Sequence, residues 1–154
     1  MRDARVRVAQ ASDCSELARL RAALWPESSV DEHARELALI LVGKFPGVMP
    51  LVILVVEADD GKLVGFLEVG LRSSADGCDA AQPVGYVEGW YVAENHRRQG
   101  LGAELLQAAE DWARGQGCIE IASDTSIDNA VSQRAHKALG FEVAERSVLY
   151  RKAL

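Results

Sequence analysis

The chain of 154 residues is long enough for one domain with a substantial core, and its composition, 49% hydrophobic and 26% charged, is typical of a globular protein. The net charge of −6 excludes a general nucleic-acid binder, which needs basic residues to neutralise phosphates. Three isolated cysteines without a C-x-x-C pair exclude a zinc knuckle and a thioredoxin-type redox pair. With a charged N-terminus and no apolar run of membrane length, we expect one cytoplasmic domain over residues 1–154, with no metal, nucleic-acid or membrane partner.

The hydrophobic pattern predicts an alternation of strands and helices along the whole chain. Ser12 or Asp13 caps the first helix, which ends at Trp25 and Pro26, and Gly140 is placed to end the last helix. In chain order, the pattern predicts a strand at 4–10, helices at 13–25 and 31–44, strands at 51–58, 62–71 and 84–93, a helix at 101–116, a strand at 118–123, a helix at 128–139, and one or two strands at 141–152. This order predicts an α/β (α+β) fold with a mixed central sheet of six to seven strands flanked by about four helices.

The segment that joins strand 84–93 to helix 101–116 is the most informative. It reads Val-Glu-Gly-Trp-Tyr-Val at 87–92 and Arg-Arg-Gln-Gly-Leu-Gly-Ala at 97–103. Glycine at a helix start lets a ligand approach the backbone, and the first amides and the helix dipole favour a pyrophosphate. A Rossmann fingerprint would need a third glycine where Leu105 stands, and a P-loop would need Gly-Lys-Ser/Thr. For the two glycines alone, a tight strand-to-helix turn is an equal alternative.

The complete phrase resembles the Q/R-x-x-G-x-G/A signature of the GNAT acetyltransferases, with Arg97, Gly100 and Gly102 at the signature positions. Asn129 and the sequence Ala-Leu-Gly-Phe at 138–141 follow at the distance typical of that family. Across nearly the whole chain, several phrases resemble the aminoglycoside 6′-N-acetyltransferase branch: Leu24-Trp25-Pro26, Gly77-Cys78-Asp79, residues 87–92, residues 122–126, residues 132–141 and residues 145–152.

The resemblance implies a GNAT fold, acetyl-CoA as cosubstrate, and acetyl transfer to the 6′-amino group of an aminoglycoside by direct attack in a ternary complex. It also implies a homodimer. The acidic charge suits a polycationic substrate, although acidity that only keeps the protein soluble is the simpler interpretation. The residues that the resemblance assigns to the cofactor are Val92, Arg97, Arg98, Gln99, Gly100, Leu101, Gly102, Ala103, Asn129 and His136.

The predicted chemistry needs a base for the amine and a donor for the developing oxyanion. Glu88 is the first candidate base, because it lies four residues before Val92 on the same strand, and Asp124 is the second. Both positions match acidic residues of the antibiotic site in this branch, and an equal alternative is that Glu88 only binds substrate charge while water takes the proton. The family assigns the oxyanion donor to the backbone N–H of Val92.

Four further positions carry expectations. His136 stands where many family members have a tyrosine acid, so it either protonates the CoA sulfur, contacts the cofactor or fills space. Trp25 and Asp79 are candidates for substrate binding, and for Asn129 helix capping is the simpler role. Related enzymes often carry an aromatic residue in the loop after residue 72, which this sequence lacks, so the acceptor pocket is expected to differ in shape.

Two alternatives stay open at this stage. A GNAT enzyme with the same cofactor site can act on a polyamine, another small amine or a protein N-terminus. A non-catalytic acetyl-CoA-binding domain can use the same fold, although Glu88 and Asp124 count against it. Acceptor profiling and turnover distinguish these alternatives.

Overall fold

The computed structural model describes residues 5–45, 47 and 49–154, so Ala4 of the first predicted strand lies outside the described residues. The strands are β1 (Arg5–Val8), β2 (Leu51–Glu57), β3 (Leu63–Arg72), β4 (Val84–Val92) and β5 (Ile121–Ser123). The helices are α1 (Cys14–Leu24), α2 (Val30–Leu41), α3 (Leu101–Gly115) and α4 (Ala130–Ala138), with short 3₁₀ turns at Ala11–Asp13 and Glu94–His96. In these described ranges, no helix is both long and apolar enough to cross a bilayer.

The strands form one mixed sheet in the order β1-β2-β3-β4-β5. The first four strands are antiparallel to their neighbours, and β5 is parallel to β4. The α/β class and the four helices agree with the sequence, but the described chain has five strands where six to seven were expected. The difference lies at residues 141–152, which form neither strand nor helix, because no neighbouring strand in the described chain supplies backbone partners.

Helices cover both faces of the sheet, which explains why β2 and β3 are apolar on both sides. On one face, an apolar stripe of α3 that includes Leu105 and Ala109 packs with Leu54 and Val56 of β2. On the other face, α1 and α2 cover the alternate side chains of the same strands, in a cluster of Leu17, Ala18, Leu37, Ile53, Val55, Leu63 and Phe66. The two-residue period of a strand therefore divides the core into two layers.

Local capping sets where the helices begin and end. The Ser29 hydroxyl accepts a hydrogen bond from Glu32 N–H at 3.1 Å, and Ser29 N–H donates to the Glu32 carboxylate at 2.8 Å. This capping box starts α2 at Val30, one residue before the expected Asp31. Asn129 caps α4 through Ser132 N–H at 3.0 Å, as capping chemistry predicted. Gly140 follows α4 with φ of +93°, a conformation in which glycine is favoured.

Candidate active site

The two parallel strands of the sheet separate at the centre of the molecule. Strand β5 pairs with β4 only over Ile121–Ser123, opposite Gly85–Val87, while β4 continues to Val92. The far half of β4 therefore has one edge without a neighbouring strand in the described chain. Ala93 N–H donates to Val64 on β3, so the alternation of a strand turns the peptide groups of Val92 to the open edge. The open edge thus presents a backbone donor at the position that the family resemblance assigned to the oxyanion.

The loop after β4 brings positive charge and free amides to this edge. Arg97 Nε donates to the Val92 carbonyl at 2.8 Å, and Arg98 and Gly100 both have left-handed φ angles, +60° and +81°. Gly100 is the N-cap of α3, and no described side chain caps that end of the helix. The first amides of α3 are therefore available to an anion, and the helix dipole favours one there. The geometry fits the pyrophosphate of a nucleotide cofactor.

The indole of Trp90 packs against the start of α3 and bonds to it. Its Nε1–H donates to the Gly102 carbonyl at 3.2 Å. The ring also lies close to Gly102, because a Cβ added to that residue would be in van der Waals contact with the indole, at 3.5 Å. The aromatic anchor holds the first turn of α3 against β4, so the distance from the anion loop to the open edge is set by packing.

Glu88 lies at a β-bulge on β4. Val87 pairs with Val69 and Gly89 pairs with Glu68, so Glu88 is the extra residue without a partner across the ladder. Its side chain is 36% exposed between two buried neighbours. Bulges re-aim a side chain and increase the local twist of a strand. The bulge therefore presents the Glu88 carboxylate to the cleft and bends β4 where β5 stops.

The carboxylate of Glu88 is held by an arginine that sequence reasoning missed. Arg72 Nε and Nη2 donate to the two Glu88 oxygens at 3.0 and 2.8 Å, and the Arg72 guanidinium lies 3.4 Å from the centre of the Tyr86 ring. The hydrogen bonds to Glu88 raise the pKa of Arg72, so this guanidinium keeps its charge. Arg72 is the last residue of β3 and Glu88 is a bulge residue of β4, and only their pairing register brings them together.

Tyr86 extends the contacts to the second predicted carboxylate. Its hydroxyl donates to Asp124 at 2.5 Å, and burial together with this hydrogen bond raises the pKa of Tyr86 above its ordinary value. The phenol therefore stays protonated and remains a donor. Glu88, Arg72, Tyr86 and Asp124 form one connected polar network, which joins the two acidic residues expected at the site.

A cleft of about 550 Å³ opens beside Glu88, between α1, α2, the start of β2 and the second half of β3. The lining residues are Arg21, Trp25, Ser28, His33, Glu36, Ile40, Phe45, Gly47, Met49, Pro50, Leu51, Glu68, Gly70, Leu71 and Glu88. Trp25 forms one wall as expected, and it packs so closely on β4 that a Cβ on Gly89 would lie 2.4 Å from its ring. Gly89 is therefore required for the indole to reach the cleft.

A buried ion pair forms the floor of this cleft. The Arg21 side chain is 6% exposed and that of Glu68 is 4% exposed, with Arg21 Nε 2.7 Å from Glu68 Oε1. Arg21 also donates to Glu36 at 2.9 Å. Burial raises the pKa of Glu68 to about 7, against the lowering effect of Arg21. The carboxylates of Glu36 and Glu88 outnumber the one buried guanidinium, so the cleft carries net negative charge even where Glu68 is protonated.

His136 connects α4 to β5. Its Nδ1 lies 2.7 Å from the Ser132 carbonyl, which only accepts, so this nitrogen carries the proton, and Nε2 lies 2.9 Å from the Ser123 hydroxyl. The ring also makes edge contacts with Trp90 and Phe141, at centroid distances of 5.3 and 5.1 Å. Both ring nitrogens therefore have partners within the protein.

Asp79 does not line the cleft. Its carboxylate accepts from Ala81 N–H at 2.9 Å, and its backbone N–H donates to Glu120 at 2.8 Å, so it shapes the loop before β4. Among the residues that the structure describes, no group of three His, Cys, Asp or Glu side chains is arranged to hold a metal ion.

The candidate site thus combines three features: a backbone N–H at the open edge of β4, an adjacent helix start whose N-cap is a glycine, and an acidic cleft. This combination is suited to acyl transfer from a nucleotide cofactor to an amine. The chain belongs to the acetyltransferase (GNAT) family, which matches residues 15–141. Similar proteins include the aminoglycoside N(6′)-acetyltransferase type 1 of Klebsiella aerogenes, 41% identical over 97% of this chain and 96% of that protein. The protein of the same name from Serratia marcescens is 45% identical over 88% of this chain and 89% of its own length.

Solved structures agree with these sequence comparisons. AAC(6′)-Iy in complex with the bisubstrate analogue CoA-S-monomethyl-acetylneamine superposes with a TM-score of 0.86 at 34% identity, over 97% of this chain and 98% of that one. AAC(6′)-Iy in complex with CoA superposes with a TM-score of 0.89 at 34% identity, over 100% of this chain and 97% of that one. The GNAT fold predicted from the sequence is therefore confirmed.

Proposed function

We propose that this acetyltransferase transfers the acetyl group of acetyl-CoA to the 6′-amino group of an aminoglycoside. The observation that carries the proposal is the negatively charged cleft, with Glu36, Glu68 and Glu88 on its walls, that meets the open edge of β4 at Glu88. An aminoglycoside is a polycation, and a cleft lined by one sign of charge concentrates the opposite sign. The similar enzymes named above act on this class of substrate according to their names.

We propose that the cofactor lies along the open edge of β4 and the start of α3. Arg97, Arg98 and the amides of residues 100–103 fit the pyrophosphate, with Gln99 in the same loop. Gly100 has open space above its Cα, since no atom lies within 4 Å of a Cβ placed there, so phosphate oxygens can approach the backbone. When bound, acetyl-CoA supplies the activated acetyl thioester. Asn129, at the start of α4, is proposed to contact the pantetheine arm while it caps the helix.

The acceptor amine is proposed to bind first as an ammonium at Glu88. In the free protein, Arg72 occupies both Glu88 oxygens, but this pair is about two-fifths exposed. Exposed ion pairs contribute only about 0–1 kcal/mol, so an incoming ammonium can share or replace Arg72 without a large penalty. Asp124, held by Tyr86, supplies a second carboxylate for another ammonium of the same substrate.

Glu88 is then proposed to accept the ammonium proton, directly or through one water. The neutral amine forms the new bond to the acetyl carbon, and Val92 N–H stabilises the negative charge that develops on the carbonyl oxygen. As the carbon–sulfur bond breaks, the electron pair leaves on the sulfur, and the nitrogen loses its second proton through water to the thiolate or to the solvent. Glu88 takes the first proton of the ammonium, Val92 N–H stabilises the oxyanion, and the cleft holds the two reactants together.

We propose that His136 holds α4 against β5 and does not protonate the CoA sulfur. Its proton is committed to the Ser132 carbonyl and its other nitrogen to the Ser123 hydroxyl. A thiolate with a pKa of about 8.5 leaves without obligatory protonation. The ring then fixes α4 against the end of β5, beside Asp124. Trp25 is proposed to line the sugar ring of the acceptor, and Asp79 is the expected substrate contact with the least support, because its carboxylate stabilises its own loop.

The deciding experiment measures thiol release from acetyl-CoA with kanamycin, tobramycin and spermidine in parallel, and locates the product by NMR. We expect turnover of both drugs at the 6′-amine, with spermidine at least about tenfold slower because it lacks the rings that pack on Trp25. Preference for spermidine assigns a polyamine acetyltransferase, and acetyl-CoA binding without turnover of any amine assigns a binding domain. The expected setting is the cytoplasm, where the three free cysteines stay reduced.

A further inference from the structure

The guanidinium of Arg72 is held from two directions. Its Nε and Nη2 donate to the two oxygens of Glu88, at 3.0 and 2.8 Å. Its central carbon also lies 3.4 Å from the centre of the Tyr86 ring, a separation at which the two planes stack. Because a guanidinium is planar and rigid, few orientations satisfy both contacts at once. Arg72 therefore has a defined position, although its side chain is 44% exposed.

Tyr86, on which Arg72 stacks, is itself held in place. It is buried on β4 where strands pair on both sides, opposite Gly70 of β3 and Ala122 of β5. Its hydroxyl donates to Asp124, which directly follows β5. Burial, together with this hydrogen bond, raises the pKa of Tyr86, so the phenol keeps its proton. Arg72 thus stacks on a ring that is fixed at its backbone and at its hydroxyl.

Glu88 lacks comparable restraints of its own. As the bulge residue it has no partner across the β3 ladder, and its long side chain is 36% exposed. A general base must lie within hydrogen-bond distance of the proton that it removes, and a misplacement of about 1 Å lowers a rate about 100-fold. The two hydrogen bonds from Arg72 supply the orientation that the ladder does not.

This geometry leaves acceptor positions for an amine. A carboxylate accepts about four hydrogen bonds, and Arg72 donates one to each oxygen of Glu88, so each oxygen keeps further acceptor capacity. The charges also permit two cations, because Arg72 balances Glu88 and Asp124 adds a second negative charge that acts on Arg72. An ammonium thus has a place on Glu88 beside Arg72.

We propose that Arg72 is a positioning residue for acetyl transfer: it orients the Glu88 carboxylate and stays in place while the amine binds. The proposal rests on the proposed function, in which Glu88 accepts the ammonium proton. Of the two arrangements open to the substrate, sharing Glu88 with Arg72 or replacing Arg72, it selects sharing. Arg72 then raises the rate of the bound complex, although its positive charge weakens the attraction of the cleft for cations.

Steady-state kinetics separate positioning from replacement, with kanamycin or with whichever amine the wild-type enzyme acetylates. Arg72→Gln should lower kcat by about tenfold or more, because Glu88 loses its orientation, and should not raise the KM for the amine. Arg72→Lys should stay near the rate of Arg72→Gln, because an ammonium keeps the charge but lacks the fork that holds two oxygens. Arg114→Gln is the matched control, since Arg114 also pairs with carboxylates, Glu110 and Asp111, but on α3 outside the cleft.

A double-mutant cycle tests whether Arg72 acts through Glu88. In the Glu88→Gln background, Arg72→Gln should lower kcat by less than about twofold, because no base remains to be oriented. Circular dichroism and urea unfolding check that the single and double variants remain folded.

Three results would overturn the proposal. An unchanged or higher kcat in Arg72→Gln means that the substrate replaces Arg72, and full recovery of kcat in Arg72→Lys means that only the charge matters. An equal loss of kcat in both Glu88 backgrounds means that Arg72 acts independently of Glu88. Failure of the proposed function is seen separately, because it depends on which amine the wild-type enzyme acetylates, and the ratios between variants do not.

Discussion

The two halves of the proposed active site are built by different means. The proposed cofactor half consists of main chain: the open edge of β4, the left-handed residues Arg98 and Gly100, and the first amides of α3. The proposed acceptor half consists of side-chain charges that come from α1, α2, β3 and β4, including Arg21, Glu68 and Glu88. A main-chain site depends on a few consecutive residues, whereas a side-chain site depends on how distant segments pack. The difference explains why one half is recognisable as a motif and the other is not.

The largest effect is expected in the acceptor half, at Glu88. Glu88→Gln keeps the shape of the side chain but removes the base, so kcat/KM for kanamycin should fall by about 100-fold or more. The dissociation constant of acetyl-CoA, measured by calorimetry, should not change. Glu110→Gln is the matched control, because it removes the same charge from α3 outside the cleft. Equal loss of acetyl-CoA binding in Glu88→Gln would show that the carboxylate supports the fold.

The corresponding change in the cofactor half is Gly100→Ala. Alanine in the left-handed region costs about 1–2 kcal/mol, and its methyl group points to where phosphate oxygens approach, so the KM for acetyl-CoA should rise about tenfold. Gly115→Ala, at the other end of α3, adds the same methyl group in equally open space without a left-handed φ. The control should leave both Michaelis constants unchanged. A rise in the KM for kanamycin alone would contradict the division between the halves.

Gly89→Ala tests the contact between the two halves. Its methyl group would lie 2.4 Å from the Trp25 ring, so the indole must move into the cleft. Overpacking of this kind costs about 1–3 kcal/mol, and we expect a rise of about threefold in the KM for kanamycin. Trp25→Phe combined with Gly89→Ala should be more stable than the sum of the single changes predicts. Additive effects in urea unfolding would mean that the two residues are not in contact.

The smallest effect on activity is expected at Glu68, whose contribution is instead a pH dependence of stability. The folded protein holds this proton up to about pH 7, and the unfolded chain loses it near 4.5. The resulting stability is present below pH 4.5 and is lost, by up to about 3 kcal/mol, as the pH rises to about 7. Glu68→Gln should flatten the free energy of unfolding between pH 5 and 8, measured with urea. Glu36→Gln, whose side chain is 43% exposed, should keep the wild-type slope.

Sequence reasoning predicted much of the secondary structure where the signal is local. Asn129 caps α4 and Gly140 ends it as expected, whereas Asp13 precedes α1 without a side-chain cap bond and the Ser29–Glu32 cap of α2 was not predicted. The long helix begins where the two glycines placed it, because the motif is contiguous. The strand expected at residues 141–152 is not formed in the described chain, since pairing depends on a neighbour that no local pattern specifies.

Glu88 and Asp124 were proposed from the sequence as site residues, but the residues that hold them were not. Arg72 and Glu88 are sixteen positions apart in the chain, and Tyr86 and Asp124 are thirty-eight. Arg21 and Glu68 had no motif at all, although a charged residue in an otherwise apolar strand such as β3 was a signal that could have identified Glu68.

The sequence by itself determined the fold class, the end of the last helix and the glycine turn into α3, because periodicity, capping and a glycine motif act over neighbouring residues. Only the tertiary structure decided that Glu88 is a bulge residue, that Arg72 holds it, and that Trp25 reaches the cleft over Gly89. It also decided that β5 is the edge strand of the sheet formed by the described residues. These features depend on strand register and on packing between distant segments, which are set by the free energy of the whole chain rather than by any one stretch of it.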